Sequence, residues 1–170
     1  HDQEEAMTVS DRIVLMRKGR IVEANTPEMI YRAPRELFTA NFIGETNLLD
    51  CVVVASGEDR TLVEVRGGAV MEAQPGPFEP GQRVVISVRP ERVHAEDEGL
   101  SAVVRSKSFM GTYIRITAEA DSEDILGFDV RVPRGRDFNI GDNVHLGWSK
   151  GSALVYPRPP GGIVEAVKLE

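Results

Sequence analysis

Cysteine, tryptophan and long apolar runs are nearly missing from this sequence. One cysteine, Cys51, among 170 residues excludes a disulfide within the chain. Its place in the apolar string LLDCVVVA predicts a buried small hydrophobe and leans toward a reducing compartment. No segment approaches the roughly 20 apolar residues that a membrane-crossing helix needs, and no basic leader precedes an apolar stretch. The expectation is a soluble chain that reaches a membrane only through a protein partner. Runs of Lys and Arg are also absent. With Lys+Arg 20 against Asp+Glu 27, the formal charge is -7, which repels a phosphate backbone and argues against general nucleic-acid binding. His94 and His145 lie far apart with no cysteine at metal spacing, so no metal site is expected. The acidic run around them, Glu96, Asp97 and Glu98, reads as a solvated face.

What is present falls into two textures. The first runs to about residue 43 and mixes helical periodicity with one hairpin. Asp2 with Glu5 three residues on has the form of a capping box, predicting a short helix to about Ser10. Arg12 to Met16 reads as a buried strand, Lys18-Gly19 as a turn and Arg20 to Glu23 as the returning strand. Thr26-Pro27-Glu28 is a helix start, with Thr26 as cap and Pro27 at the first helical position, where its missing N–H costs nothing. A further helix is expected from about Arg35 through Phe42, closed by Gly44.

From about Asn47 onward the pattern is short strands rich in Val, Ile and Leu, separated by Gly, Pro and charged turns. The candidates are 48–55, 60–66, 83–88, 101–108, 112–117, 127–132, 143–148 and 153–156. Residues 67–81, rich in Gly and Pro, are expected to be a loop. Many short strands with glycine-led turns predict a small barrel or sandwich, large enough to hold its own core. No internal repeat is clear. The expected fold class is therefore mostly β, a small barrel over residues 47–170 preceded by an α/β fragment over residues 1–46.

The chain begins HDQEEAMTVSDRI, without an initiator Met, as if it opened in the middle of a domain. His1 before a helix start would sit where backbone N–H groups point outward, as a neutral imidazole able to bond a phosphate oxygen or orient water; a simply exposed terminal histidine is the plainer reading. The following string decides between them. HDQEEAMTVSDRIVLM, the Lys18-Gly19-Arg20-Ile21 turn, Thr26-Pro27-Glu28 with Ile30, Tyr31 and Pro34, and then Phe38, Ala40, Phe42, Ile43, Gly44 and Asn47 together resemble the end of an ABC-transporter nucleotide-binding domain of the importer type serving sugars, polyamines or iron. Ser87 to Glu91 (SVRPE) and Ser108 to Gly111 (SFMG) resemble the accessory domain of the same ATPases, the TOBE domain, built on an OB-like barrel. The chain departs from the commonest family string at Val22-Glu23-Ala24-Asn25, where a Gln and a Gly are more usual.

The resemblance implies that His1 is the switch histidine, catalytic through contact with the γ-phosphate of ATP. It implies ATP and Mg as cofactors of a larger parent protein, none of them bound by this piece alone, because the phosphate loop G-x-x-x-x-G-K-[ST] does not occur in these 170 residues. It implies a second copy of the chain and membrane permease subunits as partners, a peripheral place on the cytoplasmic face of the inner membrane, and a dimerising or regulatory accessory domain open to a small solute. The competing class is a free-standing OB-type module for a small anion or an oligonucleotide, which would have no use for the first fifty residues. Three finer expectations concern the barrel. Arg89 and Glu91 form a salt-bridged turn at its rim, or else a contact to the twin subunit or to a small solute. Phe109, Met110 and Tyr113, around Gly111, pack in the core, the alternative being exposed aromatics that stack bases, which the acidic charge disfavours. Trp148 is a core or rim aromatic whose indole N–H needs a partner if buried.

Overall fold

The computed structural model describes residues 3–65, 68–120, 128–132 and 138–168. By its contacts the chain divides into two compact units, His1–Thr46 with Pro159–Glu170, and Asn47–Arg158. The last stretch, expected with the barrel, thus groups with the first residues.

The first unit is built around a hairpin. Helix α1 (Gln3–Val9) leads into strands β1 (Ile13–Arg17) and β2 (Arg20–Asn25). Lys18 and Gly19 both take positive φ, 49° and 73°, the tight-turn geometry that matches strand twist. Helix α2 (Pro27–Arg32) starts as its sequence requires: the Thr26 hydroxyl accepts from the Met29 N–H and Pro27 occupies the first turn. Helix α3 (Leu37–Phe42) buries Leu37, Phe38, Thr39 and Ala40 and stacks Phe38 on Phe42, one turn apart. Helix α4 (Ile163–Val167), not foreseen from sequence, belongs to the same unit. Arg17 on β1 donates to the carbonyls of Ala166 (2.8 Å) and Glu165 (3.2 Å), satisfying acceptors that a helix C-terminus leaves open. Its guanidinium also covers the Phe38 ring at 4.6 Å.

The second unit is all β: two five-stranded antiparallel sheets, ordered β12-β6-β3-β4-β5 and β10-β9-β8-β11-β7. The first holds β3 (Asn47–Ser56), β4 (Thr61–Val65), β5 (Val70–Ala73), β6 (Arg83–Val88) and β12 (Leu154–Pro157). The second holds β7 (Val93–Glu96), β8 (Leu100–Phe109), β9 (Ile114–Ala120), β10 (Phe128–Val132) and β11 (Asn143–Trp148). Strand β5 lies inside the segment expected to be a loop, and β7 was not foreseen, its last residue being Glu96 of the acidic run expected to be a solvated face; both are four residues long, too short for a strand pattern to stand out from one sequence. His94 and Glu96 do face solvent. The OB-like, mostly β reading holds, and it is doubled.

The two sheets repeat one plan and exchange a strand. After β6 the chain turns through a 3-10 segment, Pro90–Arg92, and gives β7 to the other sheet, where it pairs with β11. After β11 it returns β12 to the first sheet, beside β6. The details coincide. Strand β3 bulges between Val53 and Ala55 against β4, and β8 bulges between Val104 and Ser106 against β9. Val53 exchanges backbone bonds with Gln82 (2.9 Å) and Gly81 (2.8 Å), while Val104 does so with Asp142 (3.0 Å) and Gly141 (2.8 Å). Pairing of Leu49 with Ile86 matches pairing of Leu100 with Leu146. One core, from Leu49 and Ile86 through Ile116 and Leu146 to Trp148, serves both halves.

Candidate functional site

His1 and Asp2 lie outside the described residues, so the expected switch histidine and its capping carboxylate have no geometry to report. What is described is the frame behind them. Helix α1 begins at Gln3, and Gln3, Ala6, Met7, Ile13, Val14, Leu15, Phe42 and Ile43 line a small apolar groove. On the hairpin, Leu15 turns inward whereas Val14 (52 % exposed), Met16 (57 %) and Ile21 (66 %) face outward, with Met16 and Ile21 opposite each other. A two-stranded sheet with one uncovered apolar face lacks the second layer that such a sheet needs for stability.

Glu23 fixes the chain between α2 and α3. It is buried, and both of its carboxylate oxygens accept the Arg35 N–H, at 3.2 and 3.1 Å. Substituting Glu23 by Ala strands that donor, so the first unit should lose about 1–3 kcal/mol, read as faster amide exchange at Arg35 and around α3. Glu23→Gln, which keeps one acceptor oxygen, should lose less; equal exchange in wild type and Glu23→Ala would contradict the role.

In the second unit the charged groups act as clasps. Asp50 receives Arg83 (2.5 Å) and Arg158 (2.8 Å), pinning β3 to β6 and to the end of β12. Asp129 receives Arg115 (2.5 Å) and the Thr117 hydroxyl (3.0 Å). Asn47, the last residue of the FIG-x-x-N string, is buried. Its side-chain oxygen accepts the Asp129 N–H (2.8 Å) and its amide donates to the Asp129 carbonyl (3.0 Å). That carboxamide reads the β10 backbone as another strand would, and joins the first strand of one sheet to the edge of the other.

Trp148 is buried and its indole N–H donates to the Glu72 carbonyl at 2.7 Å. Core packing of Phe109 and Met110 is overturned: they are 73 % and 46 % exposed, because they sit at the far end of the β8–β9 ribbon, where Met110 and Tyr113 close the turn through a backbone bond. Tyr113 is half-buried and carries the Arg131 guanidinium over its ring at 5.0 Å. Glu91 faces Arg131 at 4.0 Å, a partner the sequence offered no means of finding, since the two are brought together only by β10 passing the Pro90 turn. His94 bonds Ser149 (3.3 Å). Among the described residues no group of three His, Cys, Asp or Glu is placed to hold a metal ion, and no helix is long and apolar enough to cross a membrane.

Cys51 is buried, and burial first, then the neighbouring Asp50 charge, pushes its thiol from 9.0 up to about 12. The folded state thus prefers the neutral thiol, a preference complete below about pH 9 and lost as pH climbs toward 12. Native protein at pH 8 should resist iodoacetamide and react once urea unfolds it; rapid labelling of the folded chain would show the thiol to be accessible.

Comparison with known proteins adds three findings. Residues 86–155 match the model of the TOBE domain. The chain is 38 % identical over 153 residues to a spermidine/putrescine import ATP-binding protein of Mesorhizobium japonicum, covering 86 % of this chain and 42 % of that protein. It is 34 % identical over 170 residues to the protein of the same name from Methylococcus capsulatus, covering 94 % and 44 %; for the Escherichia coli K12 protein the values are 38 % over 130 residues, 72 % and 34 %. The chain therefore spans less than half the length of these relatives. Among solved structures, the cytoplasmic molybdate-binding protein ModG superposes with a TM-score of 0.55 at 13 % identity, covering 65 % of this chain and 95 % of that one. That likeness concerns the fold alone.

Proposed function

Because this chain belongs to the TOBE-bearing ATP-binding proteins of ABC importers, matching their C-terminal part, we propose that it completes the motor subunit of a polyamine importer. The observation that carries the reading is the breadth of the match: identity of 34 % across 94 % of the chain, which takes in residues of both units. The names of the relatives point to spermidine and putrescine as the solutes.

In this reading the first unit ends the ATPase domain. The outward Val14, Met16 and Ile21 face is the side on which the rest of that domain packs. His1 supplies a hydrogen bond to the γ-phosphate and to the attacking water; phosphoryl transfer depends on such positioning and on charge stabilisation. ATP and Mg are held by parts of the full-length protein other than this chain, in which the phosphate-loop string G-x-x-x-x-G-K-[ST] does not occur. The second unit is a dimerising and regulatory module, whose partner is a second copy of the chain. Permease subunits hold the assembly at the cytoplasmic face of the inner membrane.

The test uses two proteins. The 170-residue chain should release no phosphate from ATP with magnesium, while the full-length protein should do so. Light scattering of the 170-residue chain should give twice its 18.7 kDa mass. Magnesium-dependent hydrolysis by the chain alone would refute the division of labour, and a strict monomer at high concentration would refute the dimerising role.

A further inference from the structure

The duplicated plan of the second unit allows its two halves to be compared position by position. Residues 81–96 correspond to 141–156 at a constant spacing, as the equivalent strand pairings require, so Val88 stands where the other half has Trp148. The bulges at Val53 and Val104 align the two hairpins in the same way. Beyond its bulge the β3–β4 hairpin makes two further pairs, ending at Ser56 with Thr61, and turns through Gly57, Glu58 and Asp59. The β8–β9 hairpin makes four, ending at Phe109 with Ile114. The plan therefore does not require the longer ribbon. Opposite residues of an antiparallel pair point to the same face, and so do residues two apart. Phe109 thus shares a face with Ile114 and Ile116. Ile116 is buried and Ile114 packs against the core, but Phe109 is exposed. The core face runs on past its cover, and a two-stranded ribbon lacks a layer of its own to bury it.

Residues 105–117 hold Arg105, Lys107 and Arg115 and no acid, in a chain of net charge -7. At the base of the ribbon Arg105 bonds Glu119 and Arg115 bonds Asp129. Next to the tip the ribbon offers Lys107 and no carboxylate. The first half carries the complement. A shallow open groove of about 500 Å³, within the size range of small sites, lies between the β3–β4 turn and the link from β5 to β6. Its walls are Pro75, Pro77 and Phe78, with Glu58 at its rim and the exposed Asp59 beside it. The link is held rigidly. The Gly76 carbonyl accepts the Ser56 hydroxyl (2.8 Å) and the Phe78 N–H (2.9 Å), and the Phe78 ring lies where a Cβ on Gly76 would be. The Gln74 N–H donates to the Ala153 carbonyl (2.8 Å) and its side chain to the Gly151 carbonyl (2.8 Å). A groove already in place costs little to order on binding. Two ribbons laid tip to tip would bring like charges together, whereas a ribbon laid in a groove brings opposite charges together. Because one unit carries both surfaces, a two-fold axis can satisfy both contacts at once and close the assembly at two copies.

We propose that the tip of the β8–β9 ribbon docks into the groove of a second copy of this chain, Phe109 and Met110 against Pro75, Pro77 and Phe78, with Lys107 toward Glu58, and that the second copy does the same in return. The proposal rests on the dimerising role given above and assigns its surfaces. Sedimentation equilibrium of the 170-residue chain tests it. Phe109→Ser with Met110→Ser, at exposed positions, should weaken the dimer about thirtyfold or more. Gly57→Lys places a cation in the groove, and the Cβ it adds meets nothing closer than the Arg60 carbonyl at 3.9 Å; it should weaken the dimer by a similar factor. Glu58→Lys, about tenfold, serves if the glycine variant fails to fold. An equimolar mixture of the ribbon and groove variants regains one intact contact and should associate more tightly than either variant alone. A monomeric wild type would sink the dimerising role and this assignment together. A dimeric wild type with undiminished dimers in the folded variants, or a mixture no tighter than its components, would overturn the assignment alone. Phe109-dependent binding of single-stranded DNA or of anionic vesicles by the monomer would give the ribbon to another partner and overturn it as well.

Discussion

Replacing His1 by Ala in the full-length protein is expected to lower ATP turnover about 100-fold or more while leaving nucleotide binding near its original strength. A donor aimed at charge that develops in the transition state is worth that much in kcat, whereas the ground-state nucleotide has many other holds. The split matters. A histidine that merely supports helix α1 would, on removal, weaken binding and stability together and leave the surviving protein fully active. Turnover measured against nucleotide affinity separates the two, and wild-type turnover in a folded His1→Ala protein would remove the catalytic role.

The largest effect on stability is expected at Trp148. Truncation to Ala should cost about 3–5 kcal/mol, because it empties the largest aromatic from the core shared by both sheets and removes the donor to the Glu72 carbonyl. Trp148→Phe keeps much of the ring and should cost less. Val88→Ala, at the equivalent place in the other half, should cost about 1–3 kcal/mol, since fewer atoms are lost and no hydrogen bond is involved. Urea unfolding followed by circular dichroism measures all three, fluorescence being unusable once the only tryptophan is gone. Equal losses at the two positions would mean that the halves are closed in the same way, contrary to their observed difference.

Much of the first unit was legible locally. Thr26-Pro27 fixes a helix start, Lys18-Gly19 a tight turn, and the Phe38–Phe42 spacing a helical face, each through bonds between near neighbours. The strands around Cys51 and Val84 were equally plain, because alternating or continuous β-branched runs are their own signal. Phe109 and Met110 were misjudged for the complementary reason. An apolar residue in a strand is buried only where the opposite sheet extends to cover it, and the β8–β9 ribbon carries them past that edge. Strand β7 was hidden by His94 and Glu96, whose outward side of the sheet is as polar as a loop.

The sequence by itself determined the element types, the breakpoints between them and, through ordered motifs spread along both units, the family; these depend on residues close together in the chain or on a linear string. Only the tertiary structure decided that the β region is two sheets trading a strand. Residues 81–96 and 141–156 keep just Gly81 with Gly141 and Val84 with Val144 in common, because a backbone plan held by N–H and C=O groups constrains side chains only to be apolar inward. The Asn47 clasp on Asp129 and the Glu91–Arg131 pair arise from chain segments roughly 40 to 80 residues apart, and separations of that kind leave no mark in one linear sequence.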